Sequence, residues 1–146
     1  MPARMAGRTP AQLYALIVGL GLVAGGILGF FYSASFATGD EIERKAVLGI
    51  LDVNAWHNIV HIATGALALL FVGSYAASRA FALVFGATYL AVAILGFIVG
   101  DGEAIAGLVP VNTEDNILHV LIALAGLLAF ASTPATPPPT TVEPAT

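Results

Sequence analysis

The chain has 146 residues, 58% of them hydrophobic and only 10% charged, with a mean hydropathy of +0.92. That composition excludes an ordinary soluble domain and points to a membrane protein. A net charge of -4, a pI near 5.1 and five scattered Lys and Arg residues argue against a nucleic-acid partner; with no Cys, disulfides, iron–sulfur clusters, thiolate metal sites and Cys nucleophiles are excluded too.

A helical crossing of lipid needs about 20 apolar residues, and segments 13–36, 54–75, 80–99 and 113–131 meet or approach that length. Their apolar runs are continuous rather than alternating, so the expected fold is an all-α integral membrane protein, a four-transmembrane-helix bundle. The first span is too long for the core of a cleaved signal peptide, and its counterpart later in the chain argues against cleavage as well. Within it, Gly21, Gly25 and Gly29 recur every four residues, a double GxxxG ridge suited to close helix packing within the bundle or in a homodimer. Arg4 and Arg8 precede the first span and Arg79 separates the second from the third, which places both termini in the cytoplasm, against the opposing signal of Arg44 and Lys45. Trp56, Tyr32 and Tyr75 lie near span boundaries and read as interfacial anchors.

An internal duplication organises the chain. "GILDVNAWHNIVH" aligns with "GLVPVNTEDNILH", matching Gly49 to Gly107, Val53 to Val111, Asn54 to Asn112, Asn58 to Asn116 and His61 to His119. "ILGF" at Ile27 recurs at Ile94, with Gly19 matching Gly86 at the same offset. Each unit is a helix, an outer loop and a returning helix, so the bundle is expected to consist of two parallel helical-hairpin repeats, 13–77 and 78–131. Residues 1–12 form a cytoplasmic segment, and the Pro- and Thr-rich residues 132–146 are expected to form a disordered tail.

On a helix, Asn54, Asn58, His61, Gly65 and Ala68 share one face, as do Asn112, Asn116, His119, Ala123 and Gly126. Asn54 and Asn112 read as N-caps, while Asn58 and Asn116, one turn deeper, read as interhelical or helix-to-loop hydrogen bonders. The two stripes are expected to meet on the pseudo-two-fold axis. His57, His61, Asp115 and His119 supply pairs at four-residue spacing, the pattern by which a helix holds zinc or a similar borderline metal, although the positive helix end opposes a cation and tends to keep His57 neutral. His61 and His119 also allow a bis-imidazole haem, for whose propionates only Arg44 and Lys45 are at hand.

"LDVNAWHNIVHIATGALALL", "RAFALVFGATYLAVAILGF" and "LVPVNTEDNILHVLIALAGLLAF" together resemble the bacterial family catalogued as domain of unknown function 4383, over residues 10–131. The resemblance implies a small four-helix integral membrane protein with no assigned catalytic residues. The leading expectation is therefore a non-enzymatic structural or accessory protein of the bacterial inner membrane, without a cofactor, whose paired Asn/His helix heads lock the bundle. Its partners would be lipid, a second copy or another membrane protein. A metal- or haem-binding redox protein is the alternative, and a transporter is disfavoured by the lack of intramembrane carboxylates or broken helices below the outer turns.

Overall fold

The computed structural model describes residues 7–137. It is mostly helical. The helices are α1 (Pro10–Phe30), α2 (Ala55–Phe71), α3 (Tyr75–Val99) and α4 (Thr113–Ser132). Of these, α1, α3 and α4 are long and apolar enough to cross a membrane, while α2 has 17 residues. At ~1.5 Å per residue α2 rises about 26 Å, a little short of a full hydrocarbon core.

The all-α expectation is corrected in the loops. The segment between α1 and α2 holds a 3-10 turn (Gly39–Glu41) and an antiparallel pair, β1 (Lys45–Val47) with β2 (Leu51–Val53); β3 (Glu103–Ile105) pairs likewise with β4 (Val109–Val111) between α3 and α4. Each pair turns on two residues in the left-handed region, Leu48 and Gly49 (φ 54° and 72°) and Ala106 and Gly107 (φ 54° and 65°). Two consecutive positive φ values match the right-handed twist of the strands they join.

Four helix boundaries differ from those expected by several residues. Thr9 caps α1 three residues early: its hydroxyl accepts from Gln12 N, Gln12 Oε1 accepts from Thr9 N, and Pro10 takes the first helical position. The same helix stops at Phe30 rather than residue 36, because carbonyls beyond it serve α2 instead. Ser33 O accepts from Asn58 Nδ2 at 2.9 Å, Ser35 O from Ala55 N at 3.0 Å, and Phe36 O from Trp56 Nε1 at 3.1 Å. At the opposite end α2 stops at Phe71, and Ser74 begins α3 by accepting from Ala77 N. Arg79 consequently lies within α3 and not in a loop.

The end of the bundle where α3 begins and α4 ends is tied together. Arg79 Nε donates to Thr133 O and its guanidinium lies 4.0 Å from the centre of the Phe130 ring. Tyr75 Oη donates to Pro134 O, and Ala11 N donates to the Thr133 hydroxyl. Residues 133–136 are thus held against the bundle, where the tail was expected from 132; the rest of that tail from 138 onward, like Arg4, lies outside the described residues.

Helix α1 packs chiefly on α2, and α3 on α4. A Cβ at Gly65 would come within 2.8 Å of Gly19 O and 2.9 Å of Val23 N, and one at Gly26 within 2.6 Å of Asn58 O, so these backbones touch with no room for a side chain. The ridge expected from spacing divides here. Gly29 is filled by the Asn58 side chain, whereas a Cβ at Gly21 or Gly25 meets no heavy atom within 4 Å among the described residues. Tyr14, Leu22, Phe81, Phe85 and Tyr89, with small residues between them, fill the core. We expect Gly65→Ala to lower thermal stability in detergent by about 1–3 kcal/mol through overpacking, and Gly21→Ala to leave it unchanged or raise it by up to about 1 kcal/mol through helix propensity. Equal losses in the two variants would contradict this placement.

Candidate functional site

The N-terminal ends of α2 and α4 build one polar network. Asn54 Oδ1 accepts from His57 N at 2.9 Å and Asn112 Oδ1 from Asp115 N at 2.8 Å, so both are N-caps. Each cap amide also has hydrogens to donate, and each sends one to the other hairpin: Asn54 Nδ2 to Leu108 O at 2.6 Å, Asn112 Nδ2 to Ile50 O at 2.7 Å. Both acceptors directly follow the left-handed turns. The loops are therefore held by the helix heads of the opposite half.

Residues 57 and 115 occupy the same place in the two motifs and behave differently. Asp115 Oδ2 accepts from Asn112 N at 3.2 Å, closing a capping box, and from Asp52 N at 2.9 Å across the molecule. The residue matching Asp52 in the second motif is Pro110, which has no N–H. A carboxylate at position 57 would find no donor there. His57 turns instead to its own hairpin, where Nδ1 lies 2.9 Å from Asp52 O. A carbonyl only accepts, so Nδ1 carries the hydrogen and Nε2 the lone pair.

Asn58 and Asn116 do not face each other; each points to the preceding helix of its own half. Asn58 Nδ2 donates to Ser33 O, and its Oδ1 sits against Gly29 where a Cβ would stand; Asn116 Oδ1 sits against Gly96 in the same manner. Neither Oδ1 has a conventional donor among the described residues. The glycine hydrogen occupying the Cβ direction points at the oxygen, a weak C–H···O contact that only glycine permits.

His57, His61 and His119 converge. Each offers a nitrogen within 4.8 Å of the others, and Asp115 is not in this group. His57 and His119 are buried, His61 half-buried. The His57 and His61 rings meet edge to face at 4.3 Å, and His119 meets Tyr89 edge to face at 5.2 Å. His119 Nδ1 is buried and finds no hydrogen-bond partner among the described residues. The three rings and Asp115 line a cavity of about 450 Å³, otherwise walled by apolar side chains such as Leu22, Leu51 and Leu118, with Gly21 and Gly25 at its edge.

The sequence profile described as domain of unknown function 4383 matches residues 12–132. The chain belongs to this family. No curated protein and no solved structure matches it. The family description assigns no activity, so the chemistry of this DUF4383 chain has to be read from its own side chains.

Several participants carry no sequence motif. Tyr89 ends a column of aromatics, Phe81, Phe85 and Tyr89, whose rings stack at 4.7 and 4.3 Å along one face of α3. Their four-residue spacing was the available signal. Asp52 contributes through its backbone N and O, which no side-chain pattern reveals. Trp56 is fixed on Phe36 through both its indole N–H and a perpendicular ring contact at 5.1 Å.

Substitutions at Asn54 separate its two roles. Ser keeps a capping oxygen but is too short to reach Leu108 O, and is expected to cost about 0.5–1.5 kcal/mol; Ala loses the cap as well and should cost roughly 1 kcal/mol more. Equal thermal stability of Asn54→Ser and wild type would remove the cross-hairpin bond from the account.

The Asp52 side chain lies on β2, where burial raises its carboxyl pKa, Arg44 opposes the rise, and Asp101 and Glu114 add to it. A folded-state value above the unfolded one means the native state holds that proton more tightly. Its contribution is present in acid and is lost as pH rises through the folded value. Asp52→Asn keeps the backbone bonds and should flatten that decline, as read from thermal midpoints between pH 4 and 7; a decline as steep as wild type would contradict it.

Proposed function

We propose that the protein is a non-enzymatic, four-pass component of the bacterial inner membrane, built from two parallel helical-hairpin repeats locked together at their outer ends. The reciprocal pair of bonds from Asn54 to Leu108 O and from Asn112 to Ile50 O carries this reading. Aligned residues perform the same exchange in both directions, as a pseudo-two-fold axis along the membrane normal requires. The matched left-handed turns and the matched Asn–Gly contacts, Asn58 on Gly29 and Asn116 on Gly96, support it further.

Orientation follows from charge. Arg8 and Arg79 lie at one end of the bundle, and the acidic hairpin ends, with Asp40, Glu41, Glu43 and Glu103, at the other. Under the positive-inside rule the arginine end faces the cytoplasm, and Arg44 and Lys45 are offset by acidic neighbours, Arg44 by Glu103 at 3.7 Å and Lys45 by Glu43 at 3.6 Å. An accessory role beside a second copy or another membrane protein fits a compact bundle whose cap asparagines are spent on holding its own helices and hairpins.

Single Cys residues at Thr38 and Glu103 should label with a membrane-impermeant reagent in intact cells, and one at the exposed Gly73 only after permeabilisation. The reverse pattern would invert the topology. Labelling of Thr38 and Glu103 from opposite sides would break the parallel repeat.

A further inference from the structure

Beyond that structural reading, we propose that His57, His61 and His119 form a binding site for one zinc-class divalent cation. The site takes three imidazole nitrogens and leaves its fourth position open to the apolar cavity.

Convergence of three imidazoles is the first support. Their nitrogens lie within 4.8 Å of one another. Zinc–nitrogen bonds of ~2.0–2.1 Å hold tetrahedral donors roughly 3.4 Å apart, so binding needs the rings to draw together by about an ångström, within reach of small side-chain rotations. Tautomer is the second. Asp52 O holds Nδ1–H of His57, which orients the ring and leaves Nε2 to coordinate, the usual outer-shell arrangement for a metal-bound histidine. The buried His119 Nδ1 without a partner is the third. Unlike the Asn58 and Asn116 oxygens, which lie against glycine hydrogens, this nitrogen has no such contact to account for it, and a buried atom left so calls for a ligand or ion.

Ligand type narrows the ion. Imidazole suits zinc, copper, nickel and iron, and among the described residues the cavity lining supplies no thiolate or thioether to favour a softer ion. The fourth position is then completed by water from the cavity. Asp115 stands on the cavity wall with its Oδ2 committed to Asp52 N and Asn112 N, so its charge offsets the cation from outside the coordination sphere. This also counters the unfavourable positive ends of α2 and α4. A porphyrin suits the arrangement less well: three imidazoles converge here, one more than a bis-imidazole haem takes.

The test uses full-length protein purified in mild detergent and stripped with a chelator. Co²⁺ should bind at one per chain with the intense visible bands of a four-coordinate site, Zn²⁺ should displace it, and Zn²⁺ alone should raise the thermal midpoint of the wild type. His57→Ala, His61→Ala and His119→Ala should each lose stoichiometric binding, while Asp115→Asn, which keeps a capping oxygen, should still bind one metal per chain. Wild-type protein that binds neither ion above a triple-His variant, and shows no thermal shift, overturns the site without touching the Asn-based lock. Loss of binding in a folded Asp115→Asn variant would also overturn it, by placing the carboxylate in the coordination sphere.

Discussion

A helix that begins at the edge of lipid carries backbone N–H groups with no partner inside the helix, and an adjoining turn carries carbonyls in the same position. The fold depends on meeting both demands with one side chain. An asparagine amide presents an acceptor and two hydrogens on a rigid plane. Asn54 and Asn112 spend the acceptor on their own helix and a donor on the opposing turn. Ser or Asp, both good caps, lack either the reach or the hydrogen. Once both amides are placed, the positions of α2, α4 and the two hairpins are no longer independent, and the hairpin end of the bundle becomes a single unit.

Breaking the near-symmetry of this unit gives the site its composition. A proline at 110 removes one backbone donor, so the carboxylate answering Asp52 N has no counterpart in the other half. His57 takes that place and is oriented by Asp52 O. Three rings and one carboxylate result, where an exact duplication would have given four rings or two acids. One backbone unit, that of Asp52, sets both exceptions.

The parts of this arrangement that were legible in the sequence are those written in local spacing. Asn before an apolar run marks a cap, and four- and three-residue intervals mark a face, so Asn54, Asn112 and the buried Asn58, Gly65, Ala123 and Gly126 could all be read. The end of α1 could not, because it is decided by Asn58, Ala55 and Trp56 collecting carbonyls from residues 33–36, more than 15 positions away in every case. Hydropathy registers only that those residues are apolar. The hairpins were hidden for another reason: three-residue strands are too short to show alternation, and their turns use Leu-Gly and Ala-Gly in place of the usual Asn-Gly. Four-residue glycine spacing identified a surface of α1 but not which glycines meet a backbone. Gly19, Gly26 and Gly29 face α2, while Gly21 and Gly25 border the cavity.

That division of glycines has its own physical meaning. Small residues on a contact face bring helices together, whereas the same residues turned away from any neighbour keep a space open, since a larger side chain at Gly21 or Gly25 would project toward the cavity. The space lies between two stiff boundaries. Above it, the Asn and Asp bonds fix the heads of α2 and α4; beside His119, the column of Phe81, Phe85 and Tyr89 supports the ring edge to face. Rings held in this way lose little further rotamer freedom when they coordinate a ligand, so less of the binding free energy is spent on ordering them. Asparagine lock and aromatic column therefore serve one end: they hold three imidazoles, borne on two different helices, in a small volume that the apolar side chains around it alone would not organise.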